Sequence, residues 1–129
     1  MTIKDHLDYW LNSAEYDFNT ALTLFKNKQY AWCLFIGHLV LEKTLKAIWV
    51  RDNNNKVPPK THNLVVIAEG TKLKISDEIK LEFLDINDFN IETRYPDYRL
   101  EFYKRCDKKF TEIKFKIIKE MFKWLKEQI

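Results

Sequence analysis

Leu7, Leu11, Ala14, Phe18, Ala21 and Phe25 recur at spacings of 4, 3, 4, 3 and 4 residues. That is one face of a helix held for more than two heptads. The pattern predicts a first helix over Ile3–Lys26, with Thr2 as N-cap and Trp10 and Leu22 widening the stripe. Asn27-Lys28-Gln29 is then a break of three residues, short enough to make the next helix an antiparallel neighbour. Leu34, His38, Leu41, Leu45 and Ile48 repeat the same spacing and predict a second helix over Gln29–Val50. Its first half also carries Phe35, Ile36 and Leu39, so it is apolar on every side. A helix of that kind lies centrally or in an interface. Polar residues increase after Leu41, which predicts that the second half meets water on one side.

Arg51–Thr61 reads RDNNNKVPPKT, a loop by its Asn run and paired prolines. A short helix is expected over His62–Glu69, with Thr61 as N-cap and Gly70 as stop. Ser76-Asp77-Glu78 opens another, with a capping hydroxyl and acids where the helix dipole favours them. Ile79, Phe83 and Ile86 line its inner face. Asn87–Tyr98 reads as irregular because Pro96 interrupts it. The last helix is expected over Lys104–Glu127 with two apolar stripes. One is Phe110, Ile113, Ile117, Met121 and Trp124; the other is Phe115, Ile118, Phe122, Leu125 and Ile129. One stripe would satisfy a surface helix, so the second predicts a further contact surface such as another subunit. The fold class expected is all-α: one domain over residues 1–129, an up-and-down bundle of three long and two short helices.

Composition agrees with that picture. Gly occurs twice and Pro three times, too few for a turn-rich β fold. Aromatic residues make up 15%, which excludes a disordered composition. Cys33 and Cys106 read as two reduced thiols of a cytoplasmic protein. Met1–Asp8 lacks the apolar core of a secretory signal, and the longest apolar run, Ala31–Ile36, is far short of a membrane span. The net charge of +3 does not by itself imply a nucleic-acid partner. Basicity is local: Tyr103–Glu127 holds nine Lys or Arg against four acids. A solvated helix face and a phosphate-attracting surface both fit that bias.

Three clusters could carry chemistry. His38, Glu42 and Lys46 are one helical turn apart and share a face, with Lys43 beside them. They make either a satisfied core histidine with a surface ion pair, or the wall of a polar pocket. Lys60-Thr61-His62-Asn63-Leu64 sits where a loop enters a helix, so it either caps that helix or presents N–H groups and His62 to an anion. Arg94-Tyr95-Pro96-Asp97-Tyr98 concentrates a guanidinium, two phenols and a carboxylate in a predicted loop. Arg94 either recognises phosphate or pins the loop by pairing with Asp97 or Glu42. No Gly-rich phosphate loop, zinc-ligand spacing or activated nucleophile is evident, so no cofactor or metal is expected.

Taken in order, these pieces resemble the HEPN family, the higher-eukaryote and prokaryote nucleotide-binding domains. The resemblance rests on Trp10 with Ala14-Glu15-Tyr16-Asp17, then Tyr30-Ala31-Trp32-Cys33, then His38 with Glu42-Lys43-Thr44-Leu45-Lys46-Ala47. Thr61-His62-Asn63-Leu64 and Arg94-Tyr95-Pro96-Asp97 complete it, so it spans about Leu7 to Trp124. It implies a four- or five-helix bundle, often a homodimer, encoded beside a minimal nucleotidyltransferase in a two-component, toxin–antitoxin-like system. Some members are metal-independent RNases with an Arg followed four to six residues later by a His. Here the only histidine after any arginine is His62, eleven positions beyond Arg51, so that pair is missing in its usual form. The expected role is therefore a non-catalytic binding component with a nucleotide or phosphate pocket. Its expected residues are Glu42, Lys43, Lys46, His62, Arg94 and Asp97, with His38 beneath. The alternative is an RNase in which His62 is the general base or acid and Arg94 stabilises the phosphorane.

Overall fold

The computed structural model describes residues 1–129, and every regular element in it is a helix. Helix α1 is Ile3–Lys26, α2 Tyr30–Asp52, α3 Leu64–Glu69, α4 Asp77–Arg94, α5 Pro96–Arg105 and α6 Lys108–Glu127. Thr2 closes a capping box on α1: its side chain accepts from the Asp5 amide while Asp5 accepts from the Thr2 amide. Ser76 and Asp107 cap α4 and α6 by accepting from Ile79 and Phe110. Lys28 adopts a left-handed φ of 61° in the tight turn that reverses the chain between α1 and α2. Asn54 and Asn55 do the same, at 54° and 64°, after α2, and asparagine tolerates that conformation better than most residues.

Helix α2 is the centre of the bundle. Leu34, Val40, Leu41, Leu45, Ile48 and Val50 have no exposed surface. Helices α1, α6, α4 and α3 all pack against it. The second half of α2 is buried as well, contrary to the expectation of a wet face. Glu42 and Lys46 are 5% and 8% exposed, because they neutralise one another and are covered by Trp10 and the 53–63 loop. Phe18 and Phe25 of α1 reach over to Phe122 and Phe115 of α6, with ring centroids 5.1 and 5.9 Å apart. Gly37 lets α2 and α6 approach closely: a Cβ there would lie 2.8 Å from Ile118 Cδ1.

Three boundaries differ from the sequence reading. Helix α3 begins at Leu64 and is capped by Asn63, not by Thr61. Asn87–Tyr98 is helical but for Tyr95: α4 continues to Arg94, and Pro96 takes the first position of α5. Proline restricts the residue before it, and Tyr95 is accordingly extended, at φ −95° and ψ 120°. It does not disturb residues further upstream. The last helix is split, since Cys106 and Asp107 separate α5 from α6. The all-helical bundle thus has six members, with α4 as a fourth long one.

Candidate functional site

The site forms where the start of α3 is clamped between α2 and α4. Asn63 Oδ1 accepts from the amides of Val65 and Val66, at 3.0 and 3.4 Å. It also accepts from Asn87 Nδ2 at 3.0 Å, while Asn87 Oδ1 accepts from the Leu64 amide at 3.0 Å. The two asparagines therefore fasten the chain entering α3 to α4.

Residue 62 is held from the other side. His38, fully buried on α2, donates from Nε2 to the His62 carbonyl at 2.8 Å. A carbonyl can only accept, so Nε2 carries the proton and Nδ1 is an acceptor. Asn90 Nδ2 faces that Nδ1 at 3.4 Å. Burial pushes the His38 pKa down to about 4, against the raising effect of the nearby Glu42 carboxylate and the His62 carbonyl. His38 is thus a neutral structural imidazole at physiological pH.

The ring of His62 donates from Nδ1 to Glu42 Oε1 at 2.7 Å, and Lys46 Nζ donates to Glu42 Oε2 at 3.0 Å. Lys46 also sits over the Trp10 ring, 5.4 Å from its centroid. Both oxygens of Glu42 are therefore engaged, which is what a nearly buried carboxylate requires. The His62 side chain remains half exposed, and its Nε2 is left without a partner.

His62 lines a polar cavity of about 190 Å³ together with Thr61, Asn63, Asn87, Asn90, Ile91 and Arg94. Asn90 is 2% exposed, and its Oδ1 has no hydrogen-bond partner. The Arg94 guanidinium is exposed and lies over the Tyr95 ring at 5.7 Å, with no carboxylate paired to it. It pins nothing. Two arginines of α5 tie it to α4: Arg99 Nε donates to the Thr93 carbonyl at 3.0 Å, and Arg105 Nη2 donates to Glu92 at 2.7 Å.

Of the residues anticipated for a pocket, the structure brings together His62 and Arg94 at the cavity, with Glu42, Lys46 and His38 behind His62. Lys43 points elsewhere, donating to Asp17 and Ser13 of α1 at 2.6 and 2.8 Å. Asp97 is exposed in the first turn of α5 and lines no part of the cavity. Sequence reasoning missed Asn87 and Asn90. Their signal was their spacing, Asn87 four residues before Ile91 and Asn90 four before Arg94, legible only once α4 is known to continue through them. No group of three or more His, Cys, Asp and Glu side chains converges to hold a metal ion, and no helix is long and apolar enough to cross a membrane.

A six-helix bundle centred on α2, with α3 clamped between α2 and α4, defines a helical-bundle class rather than a particular chemistry. The model of the HEPN domain matches residues 7–128, and the chain belongs to that family. The fold is similar to the crystal structure of TT1696 from Thermus thermophilus, with a TM-score of 0.81. The match covers 96% of this chain and 98% of that one at 16% identity, a likeness of fold alone. No curated protein matches the sequence.

Proposed function

We propose that this HEPN chain is a non-catalytic binding component that takes a phosphate or nucleotide in the α3–α4 cavity. In this reading it works as a homodimer alongside a minimal nucleotidyltransferase in a two-component, toxin–antitoxin-like system. The observation that carries the ligand reading is the uncompensated Arg94 guanidinium on a cavity whose other walls are amides, a hydroxyl, His62 and the single apolar Ile91. Arginine presents a fork of donors that matches phosphate, and no side chain of the chain competes for it. Family membership supports the pairing with a nucleotidyltransferase, and co-purification with a small nucleotidyltransferase encoded next to it is the check on that part.

The ligand test is calorimetric titration with ATP. Arg94→Ala should weaken binding by about 1.5–3 kcal/mol, the scale of a hydrogen bond to a charged group. That is on the order of 10- to 150-fold in affinity. No binding by the unmodified chain at millimolar ATP would refute the pocket.

One observation favours a second reading, RNA cleavage. The 2.7 Å Glu42–His62 contact fixes the imidazole and leaves Nε2 free, the arrangement of an oriented general base. Arg94 would then stabilise the phosphorane. Cleavage of RNA in the presence of a chelator, abolished in His62→Ala, would establish this reading over the first.

A further inference from the structure

Helix α6 buries Phe115, Ile118, Phe122 and Leu125 in the bundle. Its other apolar stripe packs only against the edge of the core and is partly covered. Ile117, Met121 and Trp124 are only half-buried, and Ile113 is 52% exposed. Between this stripe and Ile79 of α4 runs an open groove of about 320 Å³, with Glu82 and Glu120 among its lining residues. An apolar strip of this kind on a long surface helix marks a contact surface.

The charges beside the strip say what covers it. At 3.6 residues per turn, Lys109, Lys116, Glu120 and Glu127 fall within an arc of about 40°, directly next to Ile113, Ile117 and Trp124. All four are exposed, and none has an ion-pair partner within the chain. Their order is two bases followed by two acids, and it is symmetric about Ile118. Within one helix, Lys116 precedes Glu120 by four residues, the less favourable orientation for an intrahelical pair. Between two antiparallel copies of α6 these four are mutually complementary, while Lys123, one row further from the strip, faces no acid. Lys109 of one copy then faces Glu127 of the other, and Lys116 of one faces Glu120 of the other, each pair occurring twice. Ile113 of one copy then falls within one residue of Trp124 of the other.

We infer that α6 is the homodimer contact: two copies pair their last helices antiparallel about a twofold axis near Ile118, with the apolar strip inside and this charge seam along its edge. The inference rests on the homodimer in the proposed function and names the face that forms it. A twofold contact must be self-complementary, and flanking charges of this kind set orientation and partner choice in paired helices.

Charge reversal tests it, with sedimentation at micromolar concentration as the readout and circular dichroism confirming helix content. Lys109→Glu with Lys116→Glu makes the seam wholly acidic, and Glu120→Lys with Glu127→Lys makes it wholly basic. Each double variant alone should dissociate, its dissociation constant rising by about tenfold or more. An equimolar mixture of the two should recover the dimer, because every facing pair is again opposite in sign. Rising salt should weaken the unmodified dimer. A monomeric unmodified chain would overturn both the homodimer and this face. A dimer that persists unchanged in both reversed variants would overturn the face alone, as would folded variants whose mixture stays monomeric.

Discussion

His38 gives the most quantitative test of the site's architecture. Its imidazole is buried and neutral, with a pKa of about 4 against an ordinary value of 6.5. The unfolded chain therefore takes up a proton as pH falls through 6.5, while the folded chain stays unprotonated until about 4. Stability rises with pH wherever the unfolded state binds more protons. The contribution of His38 is thus fully present above pH 6.5, lost as pH falls toward 4, and constant below that. The depression corresponds to about 3 kcal/mol in total, most of it between roughly pH 7.5 and pH 4.5. His38→Gln keeps an amide donor able to reach the His62 carbonyl but removes the titration. Urea unfolding of both proteins across that range is the assay. At neutral pH the variant should be less stable, by about 1–2 kcal/mol for lost packing and an imperfect hydrogen bond. On acidification the unmodified chain should lose about 2–3 kcal/mol more than the variant, so the two curves converge or cross. Parallel curves would show that His38 is not a buried neutral donor, and the clamp on residue 62 would lose its basis.

Arg99→Ala should cost about 1 kcal/mol of stability by freeing the Thr93 carbonyl, yet leave ATP affinity unchanged, which makes it the control for Arg94→Ala in the same titration. Gly37→Ala should lose about 1–3 kcal/mol because buried Ile118 must move away from the new methyl, offset by about 1 kcal/mol of helix propensity; a thermal melt reads the balance, and a midpoint raised by the full propensity gain would contradict the close α2–α6 approach. Asp107→Ala removes the cap of α6 and should cost about 1 kcal/mol in the same measurement.

The long elements were legible in the sequence because each carries a sustained apolar period. The start of α1 and the cap at Ser76 are where the pattern places them, and α2 runs two residues past its expected end at Val50. The surplus stripe of α6 was legible too, since Phe110, Ile113, Ile117, Met121 and Trp124 cannot share a face with Phe115 and Phe122. What misleads is local chemistry without its tertiary context. Asn87 and Asn90 look like turn formers, but Asn87 reaches across to Asn63 and Asn90 lies buried beside His38, and these contacts hold α4 helical past them. Pro96 reads as the end of order and is instead the start of α5. Arg94 and Arg99 are equivalent in sequence; which one braces the junction depends on where the Thr93 carbonyl points, a property of the folded α4–α5 corner.

The central position of α2 has a consequence for how the chain opens. Its backbone is enclosed by α1, α3, α4 and α6, so its amides have no route to solvent short of dismantling the bundle. Hydrogen exchange along Val40–Val50 should then report the global unfolding free energy, the slowest rates in the molecule. Helix α5 buries Phe102 alone among its ten residues and should exchange through local opening. Ligand held between α3 and α4 would slow exchange at Leu64–Ala68, and that protection would extend into α2 only in proportion to the binding free energy added to the whole.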